Sequence, residues 1–184
     1  KTIRKEFNES DLELRVDANG AFAIEHALGK LDLLSQLNLH SIEQPIRQGQ
    51  LDEMRILCEK TPLAIALDEE LIGVNILADK ESLLEYIKPQ YIILKPALTG
   101  GFQSSYEWIE IAEKLEIAWW ITSALESNVG LNAIAQWTYS LQTNQYQGLG
   151  TGQLFTNNIS SPLKIEEERL FYRENVNWKL PTFI

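Results

Sequence analysis

The sequence predicts an α/β fold in which short, buried parallel strands alternate with helices. The apolar runs LAIAL, YIIL and IAWWI lack internal alternation, which is typical of parallel strands covered on both faces. Charged residues follow such runs at positions 17, 43, 68 and 95, so the steps between them are 26, 25 and 27 residues. A strand–helix–strand unit takes about 30 residues, so each step accommodates one strand, one helix and their loops.

The same period defines six strands, each of which ends near one rim of a parallel sheet. Beyond Lys95 it continues to Thr122 and Gly150, at steps of 27 and 28 residues. Such a series predicts the C-terminal six-strand portion, the third to eighth strands, of a TIM-type (β/α) barrel, which when complete has eight strands and about 250 residues. The predicted strands are Glu13–Asp17, His40–Glu43, Leu63–Asp68, Tyr91–Lys95, Ile117–Thr122 and Gln147–Gly150.

Helices are predicted between the strands where apolar residues recur three or four positions apart. Cys58 lies on one of these apolar faces, so we interpret it as an inert core thiol. The helical patterns are Ile24, Ala27, Leu28, Leu31 and Leu34; Leu51, Met54, Leu57 and Cys58; Trp108, Ile111, Ala112 and Leu115; and Leu131, Ile134, Ala135 and Trp137.

Residues 1–153 are predicted to form the partial barrel, and residues 154–184 a C-terminal extension that packs on the barrel or on a domain outside this sequence. The extension mixes apolar residues with charges and prolines. Six barrel strands would leave two open edges, whose unpaired backbone groups favour aggregation. We therefore expect the sequence to be the C-terminal part of a longer protein.

Composition argues against several classes of partner. The 184 residues carry a formal net charge of −10, which disfavours binding to nucleic acid or to an anionic membrane surface. No apolar stretch approaches the ~20 residues of a membrane-spanning helix, and we recognise no secretion signal. The single cysteine fits a reducing cytoplasm. We expect a cytoplasmic protein, monomeric or homo-oligomeric, whose partner is a small molecule.

Three acidic residues come at the C-terminal ends of successive predicted strands: Asp17, Glu43 and Asp68. That rim of a (β/α) barrel carries the active site, and three carboxylates that converge there require a cation. Hard oxygen ligands suit Mg²⁺ or, in its place, Mn²⁺. Taken singly, each acid could be a helix cap or a solvated charge, but the even spacing favours a shared site. Asp68, Glu69 and Glu70 are three adjacent acids, and Asp68 is preferred over Glu69 because it directly follows LAIAL.

The segments RVDANG, IEQP, ALDEE, ILKPALTGG, ITSALESNVG and GLGTGQLF, in this order and spacing, resemble the barrel domain of the enolase superfamily. Within it they look most like the o-succinylbenzoate synthases, from about Leu14 to Asn158. The resemblance implies Mg²⁺ ligands at Asp17, Glu43 and Asp68, a catalytic lysine at Lys95, and substrate-binding groups at Asn19 (near the metal), Ser123, Glu126 and the backbone around Gly148. Glu126 is explained equally well as an acid at the start of a helix, where the helix dipole favours a negative charge.

The resemblance also implies a reaction on a small anionic carboxylate. In these synthases, 2-succinyl-6-hydroxy-2,4-cyclohexadiene-1-carboxylate loses water to give o-succinylbenzoate, a step of menaquinone biosynthesis. N-acylamino acid racemisation on the same scaffold is an alternative. Dipeptide epimerisation is disfavoured because GLGTGQLF contains no acid to hold an ammonium group.

A third alternative is a non-catalytic fragment that keeps the metal site. The family's second catalytic lysine lies in a K-x-K motif about one strand–helix unit before the first metal ligand, which here would precede Lys1. The family's N-terminal capping domain would precede Lys1 as well. If this chain acts alone, we expect it to be inactive.

Overall fold

The computed structural model describes residues 2–179, and it follows the predicted alternation of strands and helices. Five strands form one parallel sheet in sequence order, which confirms the predicted α/β class. The strands are β1 (Arg15–Asp17), β2 (Ser41–Glu43), β3 (Ile65–Leu67), β4 (Tyr91–Leu94) and β5 (Ala118–Ile121). The helices are α1 (Ile3–Glu6), α2 (Ile24–Ser35), α3 (Leu51–Lys60), α4 (Leu77–Ile87), α5 (Gly101–Lys114) and α6 (Asn128–Ser140).

The chain forms two compact units. One comprises Lys1–Ile93 and Tyr106–Trp119, and the other comprises Leu94–Ser105 and Trp120–Ile184. Within the described residues, no helix is both long and apolar enough to cross a membrane.

The first unit is built on β1, β2 and β3, which are paired in parallel register. Asp17 lies opposite Glu43, and Glu43 lies opposite Ala66. Every residue of β3 is fully buried, as expected of the continuous apolar run LAIAL. Helices α2, α3 and α4 cover this core with buried side chains that include Ala27, Leu31, Met54, Leu57, Leu84 and Ile87.

The side chain of Gln90 hydrogen-bonds to the main chain at the N-terminal end of β3. The Gln90 Oε1 accepts a hydrogen bond from the Ile65 amide at 2.9 Å, and its Nε2 donates to the Cys58 carbonyl at 3.1 Å. Burial raises the pKa of the Cys58 thiol to about 12, so the thiol stays protonated at neutral pH. This agrees with the interpretation of Cys58 as an inert core residue.

In the second unit the sixth predicted strand, Gln147–Gly150, is reduced to one parallel bridge between Thr122 and Gly148. The Gly148 amide donates to the Ile121 carbonyl at 2.8 Å, while the Ile121 amide donates to the Gln147 side chain at 2.7 Å. A side chain thus takes the place of a ladder partner. The segment GLG supplies little side-chain packing, since glycine weakens a strand interior.

The C-terminal part of the second unit contains an antiparallel hairpin of β6 (Leu163–Glu166) and β7 (Arg169–Tyr172). Before it, Asn158 accepts from the Asn128 amide at 2.8 Å and donates to the Gly152 carbonyl at 3.0 Å, which ties the start of α6 to this segment. The extension predicted for residues 154–184 contains the hairpin, and its residues 180–184 lie outside the described residues. The boundary at residue 154 stays a prediction.

A buried ion pair joins α4 to α5 in the first unit, and its removal should destabilise the fold. Lys80 is fully buried, and its Nζ lies 2.7 Å from the Glu107 Oε2 and 5.6 Å from the Trp108 ring centroid. We expect Glu107→Ala to lower the free energy of unfolding by about 3 kcal/mol, because a buried ammonium loses a carboxylate partner. Chemical denaturation measures this change. Glu59→Ala removes the exposed partner of Arg55 and should cost below about 0.5 kcal/mol; equal losses in the two variants would contradict the expectation.

His40 should make stability depend on pH. Its ring contacts Tyr91 and its Nδ1 lies 2.9 Å from the Ser41 Oγ. Burial lowers the pKa of His40, an effect opposed by the Glu13 carboxylate and reinforced by Arg15. The unfolded chain then binds more protons than the folded one as pH falls below ~6.5, so stability declines there. Denaturation between pH 7.5 and 5 should show a shallower decline in His40→Asn than in wild type; identical slopes would refute this role.

Candidate metal centre and functional site

The three candidate metal ligands lie at the ends of three adjacent strands in the first unit. Asp17 is the last residue of β1, Glu43 is the last residue of β2, and Asp68 directly follows β3. Because neighbouring strands are about 4.8 Å apart, the three residues form a row along one edge of the sheet. The backbone thus has the arrangement expected from the even spacing in the sequence.

The carboxylates themselves differ in environment. The exposed Asp17 accepts hydrogen bonds from the Asn19 amide at 2.8 Å and from the Asn19 Nδ2 at 2.7 Å. Glu43 is half-buried, and Asp68 is only 2% exposed. Across residues 2–179, no three His, Cys, Asp or Glu side chains are grouped closely enough to hold an ion. Three carboxylates on neighbouring strand ends nevertheless supply the oxygen ligands that Mg²⁺ prefers.

The loop after β1 is shaped by left-handed backbone conformations. Asn19 has a φ of 46° and Gly20 a φ of 67°, values that asparagine and glycine adopt most readily. A Cβ on Gly20 would lie 2.9 Å from the Arg47 Cα, so the loop after β1 approaches the loop after β2 at backbone distance. The four residues of DANG therefore contain the Asp17 carboxylate, its hydrogen-bond partner Asn19, and Gly20, which lies against the main chain of Arg47.

Sequence reasoning missed a buried polar pair beside these ligands. Gln44 follows Glu43, is 1% exposed, and hydrogen-bonds to Glu70 at 3.0 Å. The sequence indicates Glu70 only as a rival ligand to Asp68. The signal that could have identified the pair is a glutamine directly after a predicted buried strand, where a long polar side chain requires partners.

Lys95 belongs to the second unit, where it is the first residue after β4 and is half-buried. Its carbonyl accepts hydrogen bonds from the Leu98 amide at 2.7 Å, the Thr99 amide at 3.0 Å and the Thr99 hydroxyl at 3.1 Å. The Thr99 hydroxyl also lies 2.9 Å from the Ser105 Oγ. This turn fixes the backbone of the predicted catalytic lysine.

Ser123 and Gly148 lie in a second polar group of the same unit. Ser123 is 5% exposed, and its hydroxyl hydrogen-bonds to that of Thr151, a residue that the sequence did not indicate. The Thr122 hydroxyl donates to the Gly148 carbonyl at 2.9 Å. A Cβ on Gly148 would lie 2.5 Å from the Thr122 Oγ1, so a side chain would displace Thr122. The group brings the ends of ITSA and GLGT together.

Glu126 does not cap α6, because Ser127 is the N-cap and accepts from the Gly130 amide at 3.5 Å. The Glu126 Oε1 is buried and has no hydrogen-bond partner within the described part of the chain. A buried carboxylate oxygen without a partner is costly, yet Glu126 directly precedes the N-cap of α6, where the helix dipole favours an acid. Its assignment to substrate binding stays a prediction.

The similarity of this chain to known proteins extends over both the three acids and the residues around Ser123 and Gly148. The family model described as Enolase C-terminal domain-like matches residues 1–173. The chain is 58% identical over 164 residues to an o-succinylbenzoate synthase of Desulfotalea psychrophila, a match that covers 89% of the chain and 44% of the relative. It is 33% identical over 130 residues to an N-succinylamino acid racemase of Thermus thermophilus, which covers 71% of the chain and 34% of the relative.

Among solved structures, MenC from Desulfotalea psychrophila superposes with a TM-score of 0.88 at 57% identity, covering 91% of the chain and 47% of MenC. The chain therefore spans less than half the length of these relatives. The match over residues 1–173 and the shared parallel sheet confirm the resemblance that the motifs indicated. The chain belongs to the Enolase C-terminal domain-like family of the enolase superfamily.

Proposed function

We propose that this chain carries the metal-binding rim and one catalytic lysine of a Mg²⁺-dependent o-succinylbenzoate synthase. The observation that carries the proposal is the row of Asp17, Glu43 and Asp68 at the ends of three adjacent parallel strands. The high identity to a named synthase supports the choice of reaction. Because the chain spans less than half of that relative, the proposed activity is that of the full-length protein.

The proposed reaction explains why acids and a lysine are both needed. Removing a proton from the carbon beside a carboxylate gives an enediolate, whose second negative charge must be neutralised as it forms. When bound, Mg²⁺ supplies Lewis-acid stabilisation of that charge, chemistry of which the enolase superfamily is a well-known example. Lys95 holds or moves the proton at the reacting carbon. Loss of the hydroxyl group as water then gives the aromatic product.

N-acylamino acid racemisation is the second candidate reaction. The similarity of the chain to an N-succinylamino acid racemase supports it. It begins with the same loss of a proton beside a carboxylate, so the same acids and lysine would serve it. Residues 148–155, GLGTGQLF, contain no acid. This supports a substrate whose far end is anionic or neutral, and both candidate substrates meet that condition.

The two candidates are separated by assaying one preparation of the full-length protein with both substrates. We expect kcat/KM for o-succinylbenzoate formation to exceed that for N-succinylamino acid racemisation. A preference for racemisation would establish the second candidate instead. Binding of Mg²⁺ without conversion of either substrate would mean that the chain retains only the metal site.

A further inference from the structure

We propose that Gln44 is a positioning residue that holds the loops of all three metal ligands in register, and that Glu70 orients its side-chain amide. The inference rests on the proposed function, because it assigns the two residues a role toward Mg²⁺. Neither is proposed to touch the ion. Both are buried in the first unit, so their hydrogen bonds are made out of contact with bulk water.

The main chain of Gln44 reaches the strands on both sides of β2. Its carbonyl accepts from the Gly20 amide at 2.7 Å, in the loop that follows Asp17. Its amide donates to the Ala66 carbonyl at 3.0 Å, in β3. The residue adopts a φ of 36°, a left-handed value that is sterically unfavourable for a non-glycine residue. Such strain persists only where surrounding contacts enforce it.

The side chain of Gln44 uses all of its hydrogen-bonding capacity. The Oε1 accepts from the Asp68 amide at 3.2 Å and from the Glu70 amide at 3.4 Å. The Nε2 donates to the Ile46 carbonyl at 3.1 Å and to the Glu70 Oε2 at 3.0 Å. Two acceptor sites and two donor hydrogens are the full complement of an amide, so neither a carboxylate nor an apolar side chain could replace it.

Glu70 completes the arrangement from the other side. Its Oε1 accepts from the Gly49 amide at 2.7 Å, while its Oε2 accepts from Gln44. Glu70 is thus held by the loop after β2 and in turn holds the amide that fixes the Asp68 backbone. Gln44, which adjoins Glu43 in the chain, thereby sets the main-chain position of Asp68 relative to Glu43 and to the loop after Asp17.

The chain offers a matched control in Gln90. It bridges the opposite, N-terminal end of β3, where it accepts from Ile65 and donates to Cys58. Gln90→Leu therefore removes the same type of side-chain bridge from the same strand at the end far from the three acids. Any effect that appears in Gln44 variants and not in Gln90→Leu is specific to the ligand end of the sheet.

The test measures Mg²⁺ affinity by isothermal titration calorimetry and stability by denaturation without metal, in the full-length protein. We expect Gln44→Leu to weaken Mg²⁺ binding by about 10–100-fold, the usual effect of losing a residue that orients metal ligands. Gln90→Leu, which removes two hydrogen bonds at the far end of β3, should stay within about twofold of wild type for Mg²⁺. The Mn²⁺-loaded protein should show an altered electron paramagnetic resonance spectrum in Gln44→Leu only.

A second set of variants keeps the inference testable if Gln44→Leu fails to fold. Gln44→Glu and Glu70→Gln each mismatch donors and acceptors, whereas the double exchange Gln44→Glu/Glu70→Gln restores a donor–acceptor pair between the two positions. We expect the double variant to bind Mg²⁺ more tightly than Gln44→Glu alone. Affinity in the Gln44 variants equal to that of Gln90→Leu would overturn the inference while leaving the proposed function standing. A wild-type protein that binds no Mg²⁺ would overturn both.

Discussion

Replacing Lys95 with alanine should lower kcat for o-succinylbenzoate formation by about 10²–10⁴, the usual contribution of a positioned proton carrier. The lysine directly follows β4, in a turn that its own carbonyl stabilises through three hydrogen bonds. Because those bonds are made by the main chain, the substitution should leave the turn intact. Steady-state kinetics of the full-length variant, with substrate and Mg²⁺ both saturating, measure the effect.

The Lys95→Ala result needs a lysine control and a metal control. Lys60 is exposed at the end of α3, and Lys60→Ala should have nearly wild-type turnover. Mg²⁺ affinity of Lys95→Ala should be close to that of wild type, since the lysine is not a ligand. Turnover of Lys95→Ala within about threefold of wild type would contradict a role in proton transfer.

Asp68→Asn should abolish most Mg²⁺ binding and lower turnover by about 10³-fold or more, since a lost metal ion removes several kcal/mol of stabilisation from the transition state. Asparagine keeps the size of the side chain but removes the negative charge. Asp68 is almost completely buried, so solvent cannot substitute for its carboxylate. Calorimetric titration with Mg²⁺ and the steady-state rate at saturating Mg²⁺ give the two quantities.

An acid outside the row provides the comparison for Asp68→Asn. Asp32 is exposed on α2, and Asp32→Asn changes the net charge of the protein by the same amount. It should alter neither Mg²⁺ affinity nor turnover. If Asp68→Asn and Asp32→Asn have equal Mg²⁺ affinity, Asp68 is not a ligand; in that case Glu69→Gln becomes the variant to measure.

The sheet was predictable because a strand buried on both faces leaves a plain signal, a short apolar run. LAIAL is the clearest case, since Ile65, Ala66 and Leu67 are all fully buried in β3. The sixth predicted strand was wrong in extent because spacing alone indicated it. Its residues around Gly148 supply little side-chain packing. A single parallel bridge between Thr122 and Gly148 therefore forms at the predicted position instead of a full strand.

Helix α4 was not predicted, and the reason lies in one charged residue. Its buried positions are Lys80, Leu84 and Ile87, at the spacing of a helical face. A lysine at a core position interrupts the apolar pattern in the sequence. Lys80 can be buried because Glu107 on α5 pairs with it, and this partner is not apparent from the sequence of α4. The pairing depends on two residues far apart in the chain, which local periodicity cannot reveal.

The positions of the three acids at the strand ends were predictable, but the long-range hydrogen bonds of Gln44 and Thr151 were not. Asp17, Glu43 and Asp68 each end an apolar run, which is a local feature. Gln44 acts through hydrogen bonds to segments 24 and 26 residues away, so its role emerges only from the pairing of β2 with β3. Thr151 is similar, because its contact with Ser123 spans 28 residues.

Formation of o-succinylbenzoate by the full-length protein, before and after removal of divalent ions, tests the central claim most directly. The protein is stripped with a chelator, supplied with 2-succinyl-6-hydroxy-2,4-cyclohexadiene-1-carboxylate, and then titrated with Mg²⁺. We expect no turnover in the stripped protein and saturable recovery with Mg²⁺ in wild type, with little recovery in Asp68→Asn. Turnover that persists without metal, or full recovery in Asp68→Asn, would contradict the proposed metal-binding rim.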